Sequence, residues 1–372
     1  MHEGKYHEQM IRSNFDANAV CEDKKEEKGM KNRILILILT LVLASIMFVG
    51  FGAPAQAAEL PKIKLRFSSY STEPGPVAQS YVDIMNTVTK RTNGRVEFEK
   101  YFMGTLIPNG EEVRSVVKGV ADIAFVNSKD APRLPLINVA YLPGIGGSMK
   151  TQGHNVVELA KMPAIQQEFD QNNIMLLSVQ GGDSYYMWFT KEIKAMDEMK
   201  GRKVRVTGDP AKLISQYGAI CINMPGPDMT EAFQKGTLDG SLGGFGGAIP
   251  QGHHKLCHWL INYPIVNSLS YLIMSKASWA KLPADIQNMF KEEFAKHPQH
   301  YIELFGPFEK EVFQKTLPEA GCHVVEITAA EKAKLAVLSR PVWDSWVAAR
   351  EKEGMTSARD VLNKMLQLNG IK

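Results

Sequence analysis

The sequence predicts an α/β protein with two lobes facing each other across a cleft, on three observations. A strand–helix–strand–helix–strand rhythm runs from Ile63 to Val126, and a second such rhythm starts at Lys203. Restarted α/β units in one chain fit two lobes, and small molecules commonly bind between such lobes. The 372 residues also exceed what one small core needs.

In chain order, "KIKLRFS" alternates Ile63, Leu65 and Phe67 with polar residues, the pattern of a half-buried strand. Val77, Tyr81, Ile84, Met85 and Val88 then recur at helical spacing and end at Thr92-Asn93-Gly94, a turn or helix stop. "RVEFEKY" alternates again, Glu111 to Lys118 reads as a short helix closed by Gly119, and "ADIAFV" reads as a buried strand. In the second unit "KVRVTG" is a strand, "DPAKLISQYG" a helix with a glycine stop, "AICINM" a strand and "DMTEAFQKG" a helix. Pro283 to Leu317 is helix-rich, with Pro298 and Gly306-Pro307 expected to kink or divide it. Thr328-Ala-Ala-Glu331 is a capping box opening a last helical region. Pro341 is expected to interrupt that region, and Trp343 and Trp346 to pack on the body.

The amino end reads as an export leader. Lys31 and Arg33 precede an apolar run from Ile34 to Val49. Gly50, Gly52 and Pro54 break the run, and Ala55-Gln56-Ala57 supplies the small-x-small pattern of signal-peptidase cleavage. A permanent membrane anchor is the alternative, but it needs neither the break nor the cleavage pattern. Met30 directly precedes the basic pair, so residues 1–29 read as an over-long start, with Met1 and Met30 both open as the true one. Cleavage near Ala57 leaves a mature chain of about 315 residues. No cysteine stands at the cleavage point and no Arg-Arg pair precedes the run, which points to the general export route.

Composition narrows the function. The 44% apolar and 22% charged residues are those of an ordinary globular protein. The net charge is +3, and the first 57 residues, with seven basic and seven acidic side chains, contribute nothing to it. No basic stripe interleaves with aromatic residues, so nucleic acid is not an expected partner. After the leader only Cys221, Cys257 and Cys322 remain, which allows at most one disulfide and leaves a free thiol.

Enzyme signatures are missing: the sequence has no G-x-S-x-G, H-E-x-x-H, Walker or C-x-x-C motif. "GGFGGAIPQG", from Gly243 to Gly252, lacks dinucleotide-binding spacing and reads as a loop needing positive φ or close backbone approach. In "HHKLCH", His254 and His258 stand at i,i+4 beside Cys257, but no further ligands cluster with them, so an ordinary helix is expected. Catalytic residues, metal and cofactor are all expected to be none.

Arg205 is the candidate binding residue. It lies inside a predicted strand, with Val204 and Val206 directed to the opposite face. Gly208 and Pro210 end the strand, placing Arg205 near its carboxyl end, where ligands collect in open α/β sheets. A planar guanidinium there suits a carboxylate or sulfonate held by two parallel bonds. An internal ion pair with an Asp or Glu is the other reading, and the residues alone leave both open.

"KIKLRFS", "KRTNGRVEFE", "VVKGVADIAFV", "DEMKGRKVRV", "FQKGTLDG" and "SWAKLPADIQNMF" together resemble the DctP-type solute-binding proteins of tripartite ATP-independent periplasmic (TRAP) transporters. The similarity runs from about Lys62 to the end of the chain. It implies a periplasmic-binding-protein-like fold: mostly parallel sheets flanked by helices, a cleft between lobes, crossing strands and a long hinge-spanning helix. Residues 1–57 are then leader; 58–182 with about 269–310 form lobe I; 183–268 with about 311–340 form lobe II; and 341–372 form a helical region packing on the body. The resemblance assigns Arg205 to the ligand carboxylate and leaves Lys200, Arg202 and Lys203 as solvated surface.

Other positions implied by the resemblance are Tyr70 and Asn127, lining the cleft. Tyr185 falls where sialic-acid-binding members carry a second arginine, Gly243 where they carry an asparagine, and Gly226 where they carry a pocket phenylalanine. These departures argue against sialic acid and leave room for an aromatic or bulkier monoacid. Tyr185, Tyr186 and Trp188 are candidate aromatic walls, with core packing the alternative for each. The implied function is a periplasmic receptor that captures an organic acid and delivers it to TRAP membrane permease subunits, binding as a monomer. A receptor for a signalling partner is an alternative. An exported enzyme using Asp239 or His254 is disfavoured by the missing motifs.

Overall fold

The computed structural model describes residues 61–371 except 72, 74, 129, 130 and 225–227, together with residues 30, 37, 38 and 40. The expected leader lies outside the described residues save those last four, and so does its cleavage point. The chain divides into two units, Met1–Pro61 and Lys62–Lys372. Among the described residues the second unit holds nine strands: β1 (Ile63–Ser68), β2 (Val96–Tyr101), β3 (Ile123–Asn127), β4 (Ile174–Phe189), β5 (Lys203–Arg205), β6 (Ile220–Ile222), β7 (Gly240–Gly244), β8 (Trp259–Ser275) and β9 (His323–Val325).

These strands form one sheet in the order β2-β1-β3-β8-β4-β7-β5-β6, with β9 beside β8. The fold is two-lobed α/β. Parallel groups lie at both ends, β2-β1-β3 and β7-β5-β6. Between them β4 and β8 run antiparallel to each other and to their neighbours β3 and β7. The parallel character expected from the sequence therefore belongs to the ends, and the centre is antiparallel because two long strands cross from one half to the other. The β4–β8 register shifts between Leu176 and Ser178, between Gly181 and Ser184, and between Tyr185 and Met187.

Both sheet faces are covered, so the strands alternate between two apolar cores. In β4, Met187 and Phe189 enter one core with Val204, Val206, Leu213 and Ile261. The intervening Tyr186 and Trp188 enter another with Phe233, Phe245, Leu260 and Leu317. At the other end Leu65, Phe67 and Phe125 pack against Tyr81, Met85 and Phe290. The helix Pro76–Arg91 carries Tyr81 and Met85; Asn93 and Gly94 then turn the chain at φ of 50° and 77°.

The proline expectations are met at one of three positions. The stretch divides between the helices Ala284–Phe294 and His297–Glu311, and Pro298 sits in the first turn of the second, where a proline costs no hydrogen bond. Pro307 lies inside that helix without dividing it, and a π-helical turn follows at Val312–Thr316. This helical stretch spans the two halves: the His297 ring lies 3.1 Å from Ser80 Oγ and 2.9 Å from Ser178 Oγ, while Val312 and Leu317 join the core of Trp188 and Phe245. Pro341 does not interrupt its helix either, which runs unbroken from Ala329 to Lys352 behind the expected Thr328–Glu331 capping box. Trp343 and Trp346 are buried, and Trp343 Nε1 donates to the Pro143 carbonyl at 2.7 Å.

Candidate ligand-binding cleft

Strand β5 delivers Arg205 to the cleft. Val204 and Val206 are anchored in the core on one face, so Arg205 between them turns to the other. Its main chain lies between Ile222 of β6 and Ser241 of β7. Gly208, at φ 69°, and Pro210, in the first turn of the next helix, end the strand there. The side chain is only 7% exposed, and its Nε donates to the Met224 carbonyl at 3.0 Å. Among the described residues no carboxylate pairs with Arg205. A desolvated guanidinium without a counter-charge is costly, and an anion binding beside it relieves that cost.

Arg205 lines a cavity of about 100 Å³ together with Tyr185, Gly243, Gln251 and His253. A larger cavity of about 190 Å³ adjoins it, lined by Tyr70, Asn127, Gln180, Asp183, Tyr185 and Tyr301 among others. Tyr185, Gly247 and Gln251 border both. The Tyr185 ring stands edge-on to Tyr141 with centroids 6.2 Å apart, which holds it between the compartments. Asn127 Nδ2 donates to the Tyr70 hydroxyl at 2.6 Å, and the Tyr70 ring leans on Phe125. Tyr70 follows the carboxyl end of β1 and Asn127 is the last residue of β3, which brings them together at the cavity wall.

Trp188 is placed elsewhere. It is fully buried, packs edge-on against Phe245, and donates from Nε1 to the Gly243 carbonyl at 2.9 Å. The β4–β8 pairing shifts between Tyr185 and Met187, and beyond that irregularity Trp188 enters the core of Phe233 and Phe245 while Tyr185 borders the cavities. Trp188 and Tyr186 are core residues, with Tyr186 stacked on Phe245. Gly243 lines the smaller cavity, and a Cβ built on it meets no atom within 4 Å. Gly226 lies outside the described residues.

Among the lining residues that escaped the sequence reading are Gln180, Asp183, His253 and Tyr301. Asp183 sits in mid-strand, and its two carboxylate oxygens accept from the main-chain amides of Phe245 at 3.0 Å and Gly246 at 2.8 Å. Gly244 makes this possible, since a Cβ there would occupy the carboxylate's position. The close-approach reading of the glycine-rich stretch thus fits Gly244, although a short helical turn, Phe245–Ala248, opens there. Burial pushes the Asp183 carboxyl up to about 8. His253 is 2% exposed, and its Nε2 has no hydrogen-bond partner. Burial first, and then the Arg205 charge, pushes its imidazole down to about 4, so it stays neutral beside the guanidinium. The signal for Asp183 was a carboxylate within an apolar run.

His254 lies in a 3₁₀ turn, His253–Lys255, and not in the α-helix expected there. Among the described residues no group of three or more His, Cys, Asp or Glu could hold a metal ion. Cys221, Cys257 and Cys322 are free thiols.

Two α/β halves with cavities beside a buried arginine define a solute-binding protein of the two-lobed kind. Residues 67–350 match DctP, described as bacterial extracellular solute-binding protein, family 7, and the chain belongs to that family. A solute-binding protein of Albidiferax ferrireducens is 23% identical over 349 residues, covering 87% of this chain and 96% of its own. A monocarboxylate 2-oxoacid-binding periplasmic protein of Nostoc is 22% identical over 54% of this chain, and the match spans 56% of that protein's length. Among solved structures, a marine metagenome TRAP solute-binding protein, specific for aromatic acid ligands and holding 3-hydroxybenzoate, has a TM-score of 0.75 at 19% identity, covering 84% of this chain and 99% of its own. One from Rhodoferax ferrireducens with copurified benzoate has a TM-score of 0.72 at 22% identity, covering 83% and 98%. A Sulfitobacter one with β-D-galacturonate has a TM-score of 0.72 at 20% identity, covering 81% and 99%. No helix among the described residues is long and apolar enough to cross a membrane.

Proposed function

We propose that this chain is the periplasmic receptor of a TRAP transporter, that it captures a small organic acid through an ion pair between Arg205 and the ligand carboxylate, and that it delivers the acid to the membrane permease. The observation that carries this reading is Arg205 itself, buried at a strand end beside a cavity and unpaired by any carboxylate among the described residues. Family membership supports the receptor role. Closure of the halves excludes water, which strengthens the ion pair, and no bond is made or broken.

The ligand is an aromatic or bulky monoacid. Its carboxylate sits in the Arg205 compartment and its body in the larger one, against Tyr70, Phe125 and Tyr301. Solved relatives with benzoate and 3-hydroxybenzoate support this reading. The chain acts as a monomer, exported behind a leader cleaved near Ala57. Its lobes are residues 58–182 with about 269–310, and 183–268 with about 311–340, supported by the two parallel strand groups at opposite ends of the sheet. Residues 341–372 pack on the body, supported by the burial of Trp343, Trp346 and Met365. The test is a calorimetric titration of the leaderless protein and its Arg205→Ala variant against small organic acids. Undiminished affinity in the variant would reject the assignment.

A further inference from the structure

The two cavities of the cleft share a border of three residues, Tyr185, Gly247 and Gln251, and of these Gly247 alone has no side chain. It stands in the helical turn Phe245–Ala248, with its exposed surface on both cavities. Nothing in the fold calls for a glycine there. Its φ lies outside the left-handed region, so any residue could adopt its backbone. Among the described residues no atom lies within 4 Å of a Cβ built on it, so no neighbour excludes a side chain. The other two glycines of this turn differ. A Cβ on Gly244 would occupy the place of the Asp183 carboxylate, and one on Gly246 would crowd Asp183, Phe305 and Val77 at 3.1 to 3.3 Å. Glycine also weakens a helical turn relative to alanine. Gly247 therefore costs the turn some stability without serving its packing, and the space it leaves open belongs to the cavities.

We propose that Gly247 determines specificity by length: it holds open the passage between the two compartments, and so selects acids long enough to occupy both over short acids that fill one. The proposal rests on Arg205 holding the carboxylate in the smaller compartment. With that end fixed, the rest of a long acid reaches the apolar wall of Val77, Phe125 and Tyr301 across the border that the cavities share. Glycine lets the crossing portion lie against the main chain, a close approach that a Cβ would obstruct. The Gln251 amide donates to the Gly247 carbonyl at 3.2 Å, so Gln251 follows one helical turn later on the same side of the passage. Tyr185, held edge-on by Tyr141, completes the border. An acid confined to the compartment of about 100 Å³ leaves the one of about 190 Å³ to water and buries nothing against its aromatic wall. Affinity therefore rises with the apolar surface carried across.

The test is calorimetry on the leaderless protein with acetate, propanoate, benzoate, phenylacetate and 3-phenylpropanoate, repeated on Gly247→Ala, Gly247→Leu and Arg205→Ala. In the wild type the tightest acid should be one of the three aromatic ones, at least about tenfold tighter than propanoate. Gly247→Leu should weaken it by at least about tenfold and Gly247→Ala by at least about threefold, while propanoate changes by about twofold or less in both. Without ligand, Gly247→Ala should melt no lower than the wild type, which separates a filled passage from a damaged fold. The alanine variant carries the comparison if the leucine variant does not fold. Three results overturn this inference alone when Arg205→Ala still abolishes binding: an undiminished affinity for the tightest acid in the Gly247 variants, a loss shared equally by propanoate, or propanoate binding as tightly as any aromatic acid. Undiminished binding in Arg205→Ala, or failure of every acid to bind, overturns the proposed function and this inference with it.

Discussion

Arg205 Nε donates to the Met224 carbonyl at 3.0 Å, and the same side chain lines the smaller cavity. The arginine is held by a neutral main-chain group, with no carboxylate paired to it among the described residues. Removing it should therefore strike binding before folding. Arg205→Ala is expected to weaken the tightest-binding acid by at least about 100-fold, in line with truncating one partner of a buried charge pair. The circular dichroism spectrum and the cooperative melt should be retained. Arg205→Lys should recover only part of the loss, because an ammonium cannot form two parallel bonds to a carboxylate. Equal affinities for wild type and Arg205→Lys would contradict the bidentate geometry.

The glycines Gly243 and Gly244 are adjacent but should respond in opposite ways to alanine. A methyl on Gly244 collides with Asp183, which two main-chain amides hold in place, so Gly244→Ala should cost about 1–3 kcal/mol of stability. Gly243→Ala meets nothing within 4 Å and should leave stability unchanged, while the added methyl at a residue lining the smaller cavity should lower affinity for the bulkier acids. Urea unfolding and calorimetry on the two variants separate these outcomes.

Stability should fall as pH rises from about 5 to 8. Glu168 accepts from the main-chain amides of Leu136 at 2.6 Å and Ile137 at 3.2 Å, but burial still raises it from 4.5 to about 7. Asp183 rises from 3.8 to about 8, again by burial. Between the lower and the higher value the unfolded chain has released protons that the folded chain keeps, so each added unit of pH favours unfolding. Together the two groups should remove on the order of a few kcal/mol across the interval, with the curve flattening above pH 8. Denaturant midpoints at pH 5, 6.5 and 8 give the slope, and Glu168→Gln should reduce it chiefly below pH 7. A flat profile in the wild type would count against both carboxyls.

Trp188 is predicted to matter for folding and not for recognition. Trp188→Phe leaves a void beside Phe245 and releases the Gly243 carbonyl, a loss of about 1–3 kcal/mol. Ligand affinity of the folded fraction should be unchanged. A large fall in affinity at wild-type stability would return Trp188 to the binding surface.

Much of the fold was legible because its parallel units are short and locally coded. Ile63, Leu65 and Phe67 alternate, Gly119, Gly218 and Gly236 stop their helices at positive φ, and Thr328 with Glu331 caps the last long one. The crossing strands were not read from the residues. β4, with 16 residues, is buried on both faces for much of its length, so its apolar run shows no simple alternation, and Gly181-Gly182 reads as a break. Helices run on through Pro307 and Pro341 because packing can hold a helix together across a missing amide. At the site, Arg205 stood out as a cation among valines at a strand end, and Tyr70, Tyr185 and Asn127 came from resemblance. Gln180 and Asp183 stayed hidden because strand register, not local sequence, decides which polar side chain meets a cavity.

Two of the three interruptions in the β4–β8 ladder fall between Gly181 and Ser184 and between Tyr185 and Met187, the stretch that also contributes Asp183 and Tyr185 to the cavity walls. Any change in the angle between the halves passes through these strands, and a ladder flexes most easily where its rungs are missing. Wall and irregularity are therefore one piece of chain, and a substitution that reshapes the cavity at Tyr185 also falls on the pairing of the two crossing strands.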